Sequence, residues 1–201
     1  MFFNHFYIQE SIPKIMTIAI TGSNGYLGNF LTKYLTEKGY KVIGIDLASN
    51  PRQNTYKNFT FIKCDVRDKK IKTILEEHKV THVIHTAYLM EPQRNKTYEM
   101  DVDINGSLNV FAAIRQTKSV TQFINISSTS VYGAFKENKP WIKETQTPQP
   151  RDWLYAKHKV SVEKHLAKTR KNLNIINFRL CTVVGPSYYK KGGVVQTLAN
   201  G

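Results

Sequence analysis

The stretch Ile18-Ala19-Ile20-Thr21-Gly22-Ser23-Asn24-Gly25-Tyr26-Leu27-Gly28 decides the fold. It reads as a short buried strand, a turn with three glycines at fixed offsets, and the start of a helix. Gly22 permits the sharp turn, Gly25 lets backbone approach a pyrophosphate, and Gly28 lets the helix pack closely on the strand. The free N–H groups at the helix start then face the anion. Asn24, Tyr26 and Leu27 complete the candidate cradle. The helix continues through Asn29-Phe30-Leu31-Thr32-Lys33-Tyr34-Leu35, and Lys41-Val42-Ile43-Gly44-Ile45-Asp46 follows as a second strand. Asp46 falls roughly 20 residues beyond the glycines, where an acid holds the adenosine ribose diol of a bound dinucleotide.

Outward from this unit, strands are expected at 17–21, 41–46, 59–63, 81–86, 121–126 and 174–179, with helices at 26–38, 68–78, 97–117 and 152–171. Such alternation predicts an α/β fold, a doubly wound parallel sheet with helices on both faces. Ligands of these sheets bind beyond the carboxyl ends of the strands, where the strand order reverses. The long loop 133–151, with Pro140, Pro148 and Pro150, follows the fifth strand and borders the expected substrate cleft.

Bulk properties exclude several classes. At 201 residues, 41% hydrophobic and 22% charged, the chain suits one globular domain. No apolar run approaches the roughly 18 residues that span a bilayer. The aromatic N-terminus Met1-Phe2-Phe3-Asn4-His5-Phe6-Tyr7-Ile8 has no basic leader and makes a poor signal peptide, so a cytoplasmic location is expected. Met16 directly precedes the first strand, so residues 1–15 are either an extension or follow a wrongly chosen start. Cys64 and Cys181 fall at strand ends and are expected to be buried, reduced thiols. The net charge of +14 attracts anions, nucleotide phosphates included. The lysines are dispersed with no basic run longer than two, so no nucleic-acid partner is expected.

The fifth strand, Phe123-Ile124-Asn125-Ile126, ends in Ser127-Ser128-Thr129-Ser130-Val131-Tyr132-Gly133. Farther along come Tyr155 and Lys159, four apart and therefore on one helix face. A tyrosine serves as acid/base at neutral pH only if its pKa falls from about 10 toward 7, which takes roughly 4 kcal/mol. An ammonium about 4 Å away at an effective dielectric near 20 supplies an interaction of that order. His158 and His165 lie seven apart on the same helix, but no carboxylate or cysteine completes a metal set, so no metal is expected and these histidines read as a solvated face.

Taken together these residues resemble the extended short-chain dehydrogenase/reductase family, the branch of nucleotide-sugar epimerases and dehydratases. The resemblance rests on Thr21 to Gly28, Asp46, Asp65-Val66, His85-Thr86-Ala87, Asn105-Gly106-Ser107-x-Asn109, Ser127 to Gly133, Tyr155-x-x-x-Lys159, and Arg179 with Val184-Gly185-Pro186. It implies a Rossmann domain over 16–186, with NAD or NADP as cofactor. By that resemblance Asp65 accepts from the adenine amino group, Val66 donates its N–H to the ring, and Thr86 and Ala87 line the path of the phosphates and nicotinamide ribose. Ser128 hydrogen-bonds the reacting oxygen, Tyr155 exchanges a proton with it, and Lys159 holds the ribose and lowers the Tyr155 pKa. Asn105 keeps a structural water in the proton path. Ser128, Thr129 and Arg179 are the expected substrate contacts. Asp46 favours NAD because it repels a 2′-phosphate, whereas Arg52 in the next loop leaves NADP open.

The implied reaction is epimerase or dehydratase chemistry on a nucleotide sugar, by hydride transfer with a tyrosine acid/base. Reduction of a carbonyl, or NAD binding without chemistry, are the alternatives. Family members continue past the Gly-Pro turn into a smaller substrate-binding lobe. Residues 187–201 look like its beginning, so the lobe is expected to be largely absent. Pairing of two copies through helices 97–117 and 152–171 is expected by the same analogy.

Overall fold

The computed structural model describes residues 16–48, 56–168 and 173–183. The expectations for residues 1–15, Arg52, Val184-Gly185-Pro186, 187–201 and the end of the helix at 152–171 lie outside the described residues.

Six strands form one parallel sheet in the order β3-β2-β1-β4-β5-β6. They are β1 Thr17–Thr21, β2 Lys41–Asp46, β3 Phe59–Lys63, β4 His82–His85, β5 Gln122–Ser128 and β6 Asn174–Leu180. The expected doubly wound α/β architecture is therefore present. Every residue of β1 is buried, as the central strand of a sheet covered on both faces requires. Alternate residues of β1 serve opposite layers. Ala19 joins Ile43, Ile45, Ile71, Leu75 and Phe123 on one side, while Ile18 and Ile20 meet Val42 and Ile84 on the other. Helix α1 (Tyr26–Glu37) covers the second layer through Leu31 and Leu35. Helices α2 (Lys70–Glu77), α4 (Ser107–Gln116) and α5 (Leu154–Ala167) cover the first. The order turns between β1 and β4, so their carboxyl ends open the crevice expected to hold a ligand.

Two expectations need correction. The single helix at 97–117 is instead a short α3 (Lys96–Met100), one π-helical stretch at Asp101–Gly106, and then α4. The wider turn rotates the buried face, turning Asp103 inward and Val110, Phe111 and Ile114 onto the sheet. Cys64 is buried as expected, but β6 ends at Leu180 and leaves Cys181 exposed. Both cysteines are free thiols, and burial pushes the Cys64 pKa up. Among the described residues, no helix is long and apolar enough to cross a membrane.

Candidate active site

The glycine turn is enforced by backbone proximity. Gly22 adopts φ +72°, and a Cβ there would lie 2.6 Å from the Ala87 nitrogen at the end of β4. A Cβ on Gly28 would run into the Gly22 carbonyl and the Ser23 Cα. The Gly22 N–H donates to Ile45 O at 2.8 Å, and Thr86 Oγ1 donates to Thr21 O at 2.7 Å, tying the turn to both neighbouring strand ends. Helix α1 starts behind Gly25 with no side-chain cap and no acid in its first turn. Its N-terminus thus presents the partial positive charge of the helix toward an anion. Asn24 Oδ1 is a buried acceptor without a hydrogen-bond partner among the described residues. Asp46 accepts from the Asn24 N–H at 2.9 Å and the Ala48 N–H at 3.0 Å, so its carboxylate is fixed at the rim. These features fit a dinucleotide, with phosphates at the turn and a ribose diol at Asp46.

The expected adenine end carries a charge cluster the sequence did not reveal. Arg67 donates to both oxygens of Asp65 and reaches Asp101 at 2.8 Å. These bonds hold the Asp65 carboxyl below its usual range. Gly106 presses on Val66, and Asn109 Nδ2 donates to Val66 O and Asp68 O at 2.8 and 3.0 Å. Ser107 Oγ donates to Asp103 O and meets His85 Nε2 at 2.9 Å, while His85 Nδ1 lies 2.6 Å from Thr21 Oγ1. With the Ser107 proton committed to a carbonyl, His85 donates through Nε2 and accepts at Nδ1. It is neutral, its pKa pushed down to about 3 by burial and then by the Lys159 charge. Gly106, Ser107 and Asn109 thus clasp the loop after β3 and the end of β4 onto α4.

At the other end, Ser128 closes β5. Its Oγ accepts from the Ser130 N–H at 3.2 Å, capping a 3₁₀ turn over Thr129–Tyr132 and keeping its own O–H to donate. Tyr155 and Lys159 share a face of α5, with Lys159 Nζ 5.4 Å from the Tyr155 ring centroid. Lys159 is 4% exposed and donates to Ile126 O at 2.7 Å. Burial lowers its pKa to about 7, against the attraction of Asp103 and Glu163. The structure therefore brings Tyr155, Lys159 and the strand end of Ser128 to the carboxyl edge of the sheet beside the turn from β4.

Other expected residues are placed differently. Asn105 is exposed and donates to Asp101 at 2.9 Å, within its own helical segment. The π turn sends Asp103 inward instead, fully buried, accepting from the Leu89 N–H at 3.0 Å. His158 is buried, not part of a solvated face, with Nδ1 3.0 Å from Asp103; His165 is exposed as expected. Burial raises the Asp103 pKa. Glu99, also buried, lies near both but is held by Lys96 and the Gln93 N–H. The ligand atoms of Glu99, Asp103 and His158 lie within 4.8 Å of one another, so two carboxylates gather at His158 where the sequence led us to expect none; Lys96 is ion-paired to Glu99, and Asp103 is bonded to His158. Arg179 makes a 2.7 Å bond to Glu163, a 2.5 Å bond to Tyr132 Oη and a third to Glu144 O. Glu163 also accepts from Ser127 Oγ, so the pair braces the serine-rich strand end against α5 and β6.

Residues 18–200 match the family model of the NAD dependent epimerase/dehydratase family. The UDP-glucose 4-epimerase of Neisseria gonorrhoeae is 31% identical over 170 residues, 78% of this chain and 49% of that protein. The UDP-glucose 4-epimerase of Thermotoga maritima, solved with UDP-glucose, superposes with a TM-score of 0.79 at 29% identity, covering 90% of this chain and 61% of its own. The Thermus thermophilus UDP-glucose 4-epimerase, solved with NAD, gives a TM-score of 0.78 at 27% identity, covering 92% and 61%. The chain spans about half the length of the curated relatives it matches.

Proposed function

Because the chain belongs to the NAD-dependent epimerase/dehydratase family, we propose that it provides the coenzyme-binding and proton-transfer part of a nucleotide-sugar epimerase or dehydratase. The observation that carries this reading is the convergence of the glycine turn with the Tyr155/Lys159 face at one edge of the sheet. Bound nicotinamide would supply hydride exchange with a carbon bearing a hydroxyl.

In this reading the turn from Gly22 to Gly28, with Asn24, Tyr26 and Leu27, receives the pyrophosphate. Asp46 takes the ribose diol and favours NAD over NADP, because its fixed carboxylate would face a 2′-phosphate. Asp65 and Val66 border the adenine, and Thr86 and Ala87 line the way to the nicotinamide end. Tyr155 takes or returns the hydroxyl proton, Ser128 donates to the reacting oxygen, and Lys159 stabilises the phenolate by its charge. The proton-path role expected of Asn105 passes to Asp103, the residue of that turn facing Lys159. Arg179 acts through Tyr132 and Ser127 as a brace for Thr129 and Ser128, not as a free substrate ligand. A nucleotide sugar as substrate, pairing of two copies through α4 and α5, and the division into residues 16–186 and a segment beginning at 187 belong to the same proposal.

The test is Tyr155→Phe, assayed with NAD against a panel of nucleotide sugars. Turnover should fall about 10²- to 10⁴-fold with dinucleotide affinity nearly unchanged. Unaltered turnover would remove Tyr155 from the mechanism, and absence of dinucleotide uptake by the parent protein would overturn the reading.

A further inference from the structure

We propose that Tyr88 is a positioning residue for Lys159: its ring face seats the buried ammonium and keeps it charged beside Tyr155. Tyr88 belongs to no motif singled out in the sequence. It stands three residues beyond the end of β4, where the chain turns toward α5. Lys159 Nζ sits 3.3 Å from the centroid of the Tyr88 ring, much nearer than its 5.4 Å from the Tyr155 ring. The two tyrosines meet edge to face, with centroids 5.4 Å apart and planes at 85°. Tyr155 thereby fixes the ring that carries the lysine.

The ring answers a need. A buried ammonium has three N–H groups, and the Ile126 carbonyl takes one. The anions that favour its charge are already committed: Asp103 to His158 and Leu89, and Glu163 to Ser127 and Arg179. His85, the other titratable neighbour on β4, is neutral, and Glu99 faces Tyr88. The face of an electron-rich ring attracts a cation without spending a hydrogen bond. The Tyr88 hydroxyl, by contrast, is buried with no hydrogen-bond partner among the described residues. The hydroxyl contributes no bond at this position; the aromatic face does.

This inference rests on the assignment of Lys159 as the partner of Tyr155, but it concerns the protein without coenzyme and is tested there. Lysine labelled with ¹³C at Cε reports its own protonation by chemical shift, and the Lys159 signal is identified by its loss in Lys159→Arg. Tyr88→Phe should leave the Lys159 midpoint in place. Phenylalanines with one, two and three fluorines incorporated at position 88 keep the shape and exclude water equally, while draining the ring face of negative charge. The midpoint should then fall stepwise, by about tenfold in proton affinity across the series. A midpoint that stays flat through the series overturns the proposal, as does a drop of that size in Tyr88→Phe alone. Should the series behave as expected while the protein takes up no dinucleotide, the functional reading falls and the seat for Lys159 stands.

Discussion

The two ends of the crevice are built from different materials. At the glycine turn the geometry belongs to the backbone: Gly22 lies against Ala87, Gly28 against Gly22, and no side chain could stand between them. At the α5 end it belongs to buried ionisable side chains, with Lys159, Glu163, Asp103 and His158 all nearly sealed from water, and His85 equally sealed between the two ends. The first is secured by steric exclusion, which local sequence enforces. The second is secured by mutual satisfaction of polar groups from distant parts of the chain, such as Asp103 with His158, 55 residues apart, and Ser127 with Glu163, 36 apart. One end therefore fails when an atom is added; the other fails when a partner is removed or titrated.

Gly28→Ala is the most severe test of this contrast. The added Cβ meets backbone that cannot step aside, so destabilisation of at least about 4 kcal/mol is expected by denaturant unfolding. A variant of near-parental stability would break the distinction. A titration probes the sealed polar groups. His85 holds its folded pKa at about 3, below the ordinary value of 6.5, so the unfolded chain takes up a proton first as pH falls. The stability from neutral His85 is complete above 6.5 and is lost progressively between 6.5 and 3, up to about 5 kcal/mol. Comparison with His85→Gln isolates it, since the carboxylates titrate in both proteins; equal slopes of stability against pH would contradict the assignment. Glu163→Gln should have the smallest effect. It leaves the Arg179 charge without its partner, yet Arg179 reaches solvent, so about 2 kcal/mol is expected in thermal unfolding. A loss much larger would mean that the ion pair counts for more than its access to solvent allows, since glutamine can still accept from Ser127.

The same contrast governs how much could be read from the residues in order. Strand and helix positions follow from apolar periodicity; β1, β2 and β3 fall on their expected bounds, and continuous burial leaves little choice of register for β1 and the middle of β2, whereas β3 is nowhere fully buried. The glycine turn was equally legible, since the offsets themselves are the physical requirement. Asn105 is expected from its place in the family motif alone, and nothing in the sequence of 97–117 signals the π turn that leaves it exposed and buries Asp103. His158 looked like surface because its partner lies on another element, and α5 carries only a weak amphipathic pattern. Tyr88 gave no signal at all: its role depends on a lysine 71 positions away, and only the folded contact joins them.

The π turn at Asp101–Gly106 has a further consequence. Each residue of an α-helix advances the side-chain direction by about 100°, so a single added residue is a change of phase. Deleting one residue there would restore an unbroken helix and swing Val110, Phe111 and Ile114 by roughly a quarter turn off the sheet, while Glu99 upstream kept its bearing. The segment works as a coupling between two shafts, letting the half that faces Tyr88 and Lys159 and the half that packs the core keep independent timing.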